Sequence, residues 1–192
     1  MDPLYAFVFA GLFSPGPNVI LLTASGARFG FRATLPHVFG VALGVGVIAA
    51  LVGLGIGALL LARPGLTLVL KLIAAGWILW MAYRLFRASD LSAGKAGERP
   101  FTLLQAVLFQ WVNPKIWAVA LAAAAGYGIG LPPAGEAQRL ALAFSGINLF
   151  VCLFWSFAGA LLALLLTTPR AWMLFRLCMG AALAASAIMV FV

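Results

Sequence analysis

The chain has 192 residues, 65% of them hydrophobic, with only twelve Lys and Arg and four Asp and Glu. A soluble domain of this size cannot cover so much apolar surface with so few charges, so lipid is the solvent for most of it. The net charge of +8 sits in short connections at the ends of apolar segments, not along a groove or arm, which argues against nucleic acid as a partner and for membrane topology.

Six apolar segments are long enough to cross a ~30 Å hydrocarbon core: residues 3–25, 36–61, 65–87, 103–124, 139–167 and 171–192. The expected fold class is an all-α membrane protein with six transmembrane helices in one transmembrane domain, 1–192. The first segment lacks a basic leader region and is interrupted by Pro and Gly, so it reads as a permanent span and not as a cleaved signal. Its break is FSPGPNVILL, with Pro15, Gly16, Pro17 and Asn18. The second segment places His37 beside Pro36 at its mouth, as an interfacial residue. It also spaces Gly40/Gly44 and Gly53/Gly57 as GxxxG pairs, which predicts close helix packing and suits a homodimer. Segment 88–100, ASDLSAGKAGERP, is the long hydrophilic connection and the natural midpoint. The fourth segment carries FQWVNPKIW at 109–117, with a second break at Asn113 and Pro114. Cys152 and Cys178 fall in the last two segments, form no CxxC and are expected to be small buried hydrophobes.

Arg28, Arg32, Arg84, Arg87, Lys95, Arg99, Arg170 and Arg176 flank one set of connections, and only Arg63 and Arg139 flank the other. Because Lys and Arg near span ends are retained in the cytoplasm, 88–100 is expected to be cytoplasmic and both termini periplasmic. The midpoint divides three spans from three, so the halves (1–87 and 101–192) enter the membrane in opposite senses, the plan of an inverted-topology repeat. The breaks then fall in corresponding helices, 1 and 4.

A proline kink would account for either break alone. The residue order favours new helix starts: Asn113 suits an N-cap and Pro114 the first helical position, and Gly16–Pro17 repeats the pattern. Half-helices starting near the midplane point free N–H groups and positive dipole ends into the bundle, which predicts a carboxylate-binding pocket. Lys115 lies about 18 Å into the core, counted from residue 103 at ~1.5 Å per residue. It has no acidic neighbour in the spans. It either snorkels or faces a substrate carboxylate, and the second accounts better for its depth. Without a buried acid, Lys115 is also the candidate carrier of a coupled proton, since Lys can shed its proton and Arg cannot. Asn18, Gln110, Asn113 and Asn148 either line the cavity or bond neighbouring helices. The candidate substrate-binding set is Pro15, Gly16, Pro17, Asn18, Gln110, Asn113, Pro114, Lys115 and Asn148. No catalytic residue, metal-ligand spacing or cofactor motif is expected, so the chain does not read as an enzyme.

FSPGPNVILL, GARFGFRATLPHVFGVALG, VLKLIAAGWILWMAYRLFRA and FQWVNPKIW resemble, in order and spacing, the LysE/RhtB family of bacterial amino-acid exporters. The resemblance implies a proton-driven exporter of the bacterial inner membrane, with Pro15–Asn18 and Asn113–Lys115 matching the family's two motifs. Many members carry Asp where this chain has Asn18, so the chain is more similar to the branch that exports neutral amino acids, including those of the cysteine pathway. Two other classes compete. A thiol–disulfide relay needs a reactive Cys pair in the broken helices, and a membrane scaffold would show packing motifs without a polar midplane.

Overall fold

A computed structural model describes residues 2–57, 62–87, 99–188 and 191. Among them are eight helices: α1 (Pro3–Phe13), α2 (Pro17–Phe29), α3 (Phe31–Gly53), α4 (Pro64–Arg87), α5 (Leu103–Trp111), α6 (Pro114–Tyr127), α7 (Pro133–Leu165) and α8 (Pro169–Ile188). Four are long and apolar enough to cross a membrane, and the count rises to six if the bent pairs α1–α2 and α5–α6, with angles of 59° and 63°, are each one broken span. The chain is a multi-pass, all-helical membrane protein. The connection expected over 88–100 lies outside the described residues as far as 98.

Local chemistry sets the helix ends. Asp2 caps α1 by accepting the Leu4 N–H at 3.0 Å, with Pro3 in the first turn. The helix stops at Ser14 because the residue before a proline is pushed out of the helical region; Ser14 has ψ 148°. Gly16 is extended, and Pro17 starts α2. In the second bent span Thr102 and Gln105 form a reciprocal capping box at the start of α5. Asn113 leaves the helical region ahead of Pro114, which starts α6.

Helix α3 begins at Phe31, five residues before the expected start. Gly30 adopts φ 82°, a left-handed conformation that glycine tolerates without strain, so one residue turns the chain between α2 and α3. Pro36 lies inside the helix as a result. Helix α7 likewise begins at Pro133, ahead of 139, and its 33 residues extend ~50 Å, well beyond a hydrocarbon core.

Helix α3 is the centre of the bundle. Of its most apolar stretch, 61% is buried, against 17% for α8. It packs on α7, α5, α6 and α2. Its glycines permit this: a Cβ on Gly40 would strike the Leu103 carbonyl of α5, one on Gly44 would come within 2.7 Å of Gln110 Cγ, and one on Gly53 within 2.6 Å of Ala137 Cα on α7. The glycine pairs expected to pack closely do so within the chain, which leaves Gly40 and Gly44 covered by α5 and unavailable to a second copy. Helices α4 and α8 form a separate pair whose buried side, with Ala74, Ile78 and Leu183, meets Ile20 of α2. Cys152 is buried as expected. Cys178 is not: α8 turns it outward, because this helix uses only one narrow face for packing.

Candidate functional site

Both proline breaks arrive at one place. A cavity of about 10 Å³ is lined by Gly16, Asn18 and Val19 at the start of α2, by Asn113, Lys115 and Ile116 at the start of α6, and by Asn148, Val151 and Cys152 of α7. That is room for about one water-sized group. The first turns of α2 and α6 lack side-chain caps, and each has a proline in its first turn. Their remaining free N–H groups and positive dipole ends therefore border the same small space.

Around it the amides bond to one another. Asn18 Nδ2 donates to Gln110 Oε1 at 2.8 Å, and Gln110 Nε2 donates back to Asn18 Oδ1 at 3.2 Å. Gln110 Nε2 also donates to the Ala106 carbonyl at 2.9 Å, and Asn113 Nδ2 reaches Gln110 Oε1 at 3.4 Å. Asn18, Gln110 and Asn113 are all buried. This knot ties the first broken span to the second. Two atoms stay outside it: Asn113 Oδ1, an acceptor, and Asn148 Nδ2, a donor, are buried without a hydrogen-bond partner among the described residues. Buried amide groups are normally satisfied, so both are free to meet a polar ligand.

Lys115 is engaged in a way the sequence did not announce. Its Nζ donates to the Ser14 carbonyl at 2.5 Å, to Ser14 Oγ at 2.9 Å and to the Pro15 carbonyl at 3.3 Å. The lysine of the second broken span thus caps the carbonyl end of α1 in the first, where the helix dipole is negative and Pro15 and Pro17 supply no N–H. Ser14 Oγ in turn donates to the Gly11 carbonyl at 2.9 Å. Gly16 lies directly beneath this side chain: a Cβ there would stand 2.8 Å from Lys115 Cδ and 3.0 Å from Nζ, so the lysine would have to shift.

All nine residues singled out in the sequence, Pro15 to Asn18, Gln110, Asn113 to Lys115 and Asn148, lie at this junction of α1, α2, α5, α6 and α7. Ser14 was missed as a partner of Lys115, and only its position before Pro15 could have indicated it. His37, expected at the membrane interface, is 2% exposed, lies against Phe101 and has no partner on either ring nitrogen among the described residues.

A second cavity, of about 370 Å³, opens between α2, α4 and the start of α5, with Arg28, Arg84 and Arg99 in its wall. At the opposite end of the bundle, Arg139 of α7 bonds Asp2 at 2.7 Å, Glu136 at 3.0 Å and the Tyr127 carbonyl at 2.9 Å. The Arg139 guanidinium and the Leu4 N–H hold the Asp2 carboxyl below its ordinary range.

The family described as LysE type translocator matches residues 9–192. A membrane protein of Vibrio cholerae is 30% identical over 116 residues, covering 58% of this chain and 56% of that relative. A cysteine/O-acetylserine efflux protein of Salmonella paratyphi A is 26% identical over 116 residues, covering 60% and 59%. A membrane protein of Pseudomonas aeruginosa is 31% identical over 112 residues, covering 53% and 51%. The chain thus matches between half and three fifths of the length of these curated relatives. No solved structure matches it.

Proposed function

This chain belongs to the LysE type translocator family, and on that premise we propose that it exports a small neutral amino acid or amino-acid derivative across the bacterial cytoplasmic membrane, driven by the proton gradient. The observation that carries this reading is the convergence of two half-helix N-termini, Lys115 and the unpartnered Asn148 Nδ2 on one buried cavity. Amide and ammonium donors suit a carboxylate. The absence of any Asp or Glu among the described residues around the cavity disfavours a cationic side chain. The Salmonella relative named for cysteine/O-acetylserine efflux supports a neutral substrate of that size.

The cavity is closed at about 10 Å³, so binding requires the half-helices to part. The extended residues Ser14, Gly16 and Asn113 are the hinges. A carboxylate entering between the helix starts takes Lys115 from Ser14 and offers acceptors to the Asn18 and Val19 N–H groups and to Asn148. Lys115 released from the α1 carbonyls carries the coupled proton. The plan is an inverted repeat of 1–87 and 101–192, supported by two bends of nearly equal angle and by helix pairs that join corresponding spans: α3 with α7, and α4 with α8. The end carrying Arg28, Arg84 and Arg99 faces the cytoplasm, and both termini face the periplasm.

Inverted membrane vesicles test the reading. An acid-inside gradient should drive accumulation of radiolabelled cysteine or O-acetylserine, and not of lysine. Equal uptake of all three, or uptake indifferent to the gradient, would refute the substrate class or the coupling respectively. For orientation, Gly94→Cys in a chain lacking Cys152 and Cys178 should resist an impermeant maleimide in intact cells; ready labelling would reverse the topology.

A further inference from the structure

The larger cavity differs in kind from the midplane one. Its volume of about 370 Å³ lies within the range of small-molecule pockets. Three guanidiniums reach its wall from three separate elements: Arg28 from the end of α2, Arg84 from α4 and Arg99 from the segment before α5. Trp80 fixes Arg84, whose guanidinium carbon stands 5.1 Å from the ring centre. Among the described residues lining the cavity there is no Asp or Glu. Like charges gathered around a concave, low-dielectric space focus a field that attracts the opposite sign.

A second observation points to a ligand. His37 forms part of the same wall, is 2% exposed, and has no hydrogen-bond partner on Nδ1 or Nε2 among the described residues. A buried imidazole of this kind offers one donor and one acceptor. Ser25 and Gln105 add polar groups on neighbouring helices.

We infer that this vestibule is a second binding site, for an anionic group held by Arg84 and Arg99 with His37 as a hydrogen-bonding partner in the buried wall. The chemistry is that of a carboxylate on a small solute or the phosphate of a lipid headgroup. For a solute, and resting on the exporter reading, the vestibule collects carboxylates on the side from which the midplane site is filled and turns cationic amino acids away.

The test uses the full chain in nanodiscs of purely zwitterionic lipid, titrated calorimetrically with O-acetylserine, and in parallel discs containing phosphatidylglycerol, with retained lipid read by mass spectrometry. The wild-type chain should bind O-acetylserine and not its methyl ester. The double variant Arg84→Gln, Arg99→Gln should weaken that binding at least tenfold, and Arg84→Lys, Arg99→Lys should restore most of it, which a folding defect would not do. Retention of phosphatidylglycerol alone, lost in the Gln variant, would establish the site with a lipid headgroup as occupant. Unchanged solute affinity together with unchanged lipid retention in the Gln variant would overturn it. Arginine-dependent binding in a chain that exports nothing would sink the exporter reading and leave this site standing; normal export with binding indifferent to both arginines would do the reverse.

Discussion

The two cavities handle polarity in opposite ways. At the junction of the two broken spans, most donors and acceptors are turned on one another: Asn18 on Gln110, Lys115 on the carbonyl end of α1, with about 10 Å³ left over. In the vestibule, the charged residues among the described lining are of one sign, around about 370 Å³. The difference follows from the solvent. In the hydrocarbon layer an unmet backbone carbonyl or ammonium is costly, so the chain must satisfy its own breaks. On the proposed topology the vestibule opens toward the aqueous end, where water shares that work and charges need not close on each other. The amide knot and the Lys115 bonds therefore double as structure and leave only Asn113 Oδ1 and Asn148 Nδ2 unpartnered, whereas Arg84, Arg99 and His37 in the vestibule wall face a much larger space.

The comparison is broken most severely at Lys115. Lys115→Met removes three hydrogen bonds and leaves the Ser14 and Pro15 carbonyls without that partner. Export should fall about a hundredfold or more, with the protein still in the membrane fraction but melting at a lower temperature. Lys115→Arg should recover stability and substrate binding but not the dependence on a pH gradient, because Arg keeps its proton. Normal export and normal pH dependence in Lys115→Met would reduce the residue to a snorkelling side chain.

The amide knot comes next. Asn18→Leu or Gln110→Leu alone strands the other amide and should cost about 1–3 kcal/mol. The double change should cost less than the sum of the two, with a coupling of about 0.5–3 kcal/mol in thermal unfolding of the purified protein. Gly44→Val should disturb the knot at least as much as Gln110→Leu, because its Cβ would stand 2.7 Å from Gln110 Cγ and 3.0 Å from the Val107 backbone. Strict additivity of Asn18→Leu and Gln110→Leu would mean that the knot carries no mutual stabilisation.

On the vestibule side, Arg84→Gln should change stability by less than about 0.5 kcal/mol, since Arg84 is exposed and stacks on a half-exposed Trp80. A large loss of thermal stability would erase the contrast between the cavities. The smallest effect belongs to Asp2. Its carboxyl is held below the ordinary range by Arg139, so the pair contributes stability above the unfolded carboxyl pKa, and that contribution is lost as pH falls through the lower folded value. A pH series of melting temperatures should show a small acid-side decline that Asp2→Asn removes.

The lysine also marks where reading the chain stopped. The apolar helices, two proline breaks and the residues beside them were legible, because hydrophobic length and proline stereochemistry act locally. The partner of Lys115 was sought among acids, since a sequence displays carboxylates and hides backbone carbonyls. Its partners are carbonyls that every residue possesses, freed only where Pro15 and Pro17 interrupt the first span. Arg28, Arg84 and Arg99 were equally visible, but as a topology signal. Nothing in their spacing says that they meet around one cavity, or that His37 stands buried in its wall.

The sequence by itself determined the solvent, the stretches apolar enough to cross it and the points at which helices must stop, because each follows from the composition of a short stretch. Which breaks meet, which glycines admit which helix, and whether a polar group is spent on a neighbour or left to a ligand depend on distances between residues far apart in the chain. Lys115 and Ser14 are separated by 101 residues and Asn18 and Gln110 by 92. Only the packing of α5 and α6 against the first three helices brings them within hydrogen-bonding reach, and the approach of α5 to α3 rests on the Cβ atoms that Gly40 and Gly44 lack.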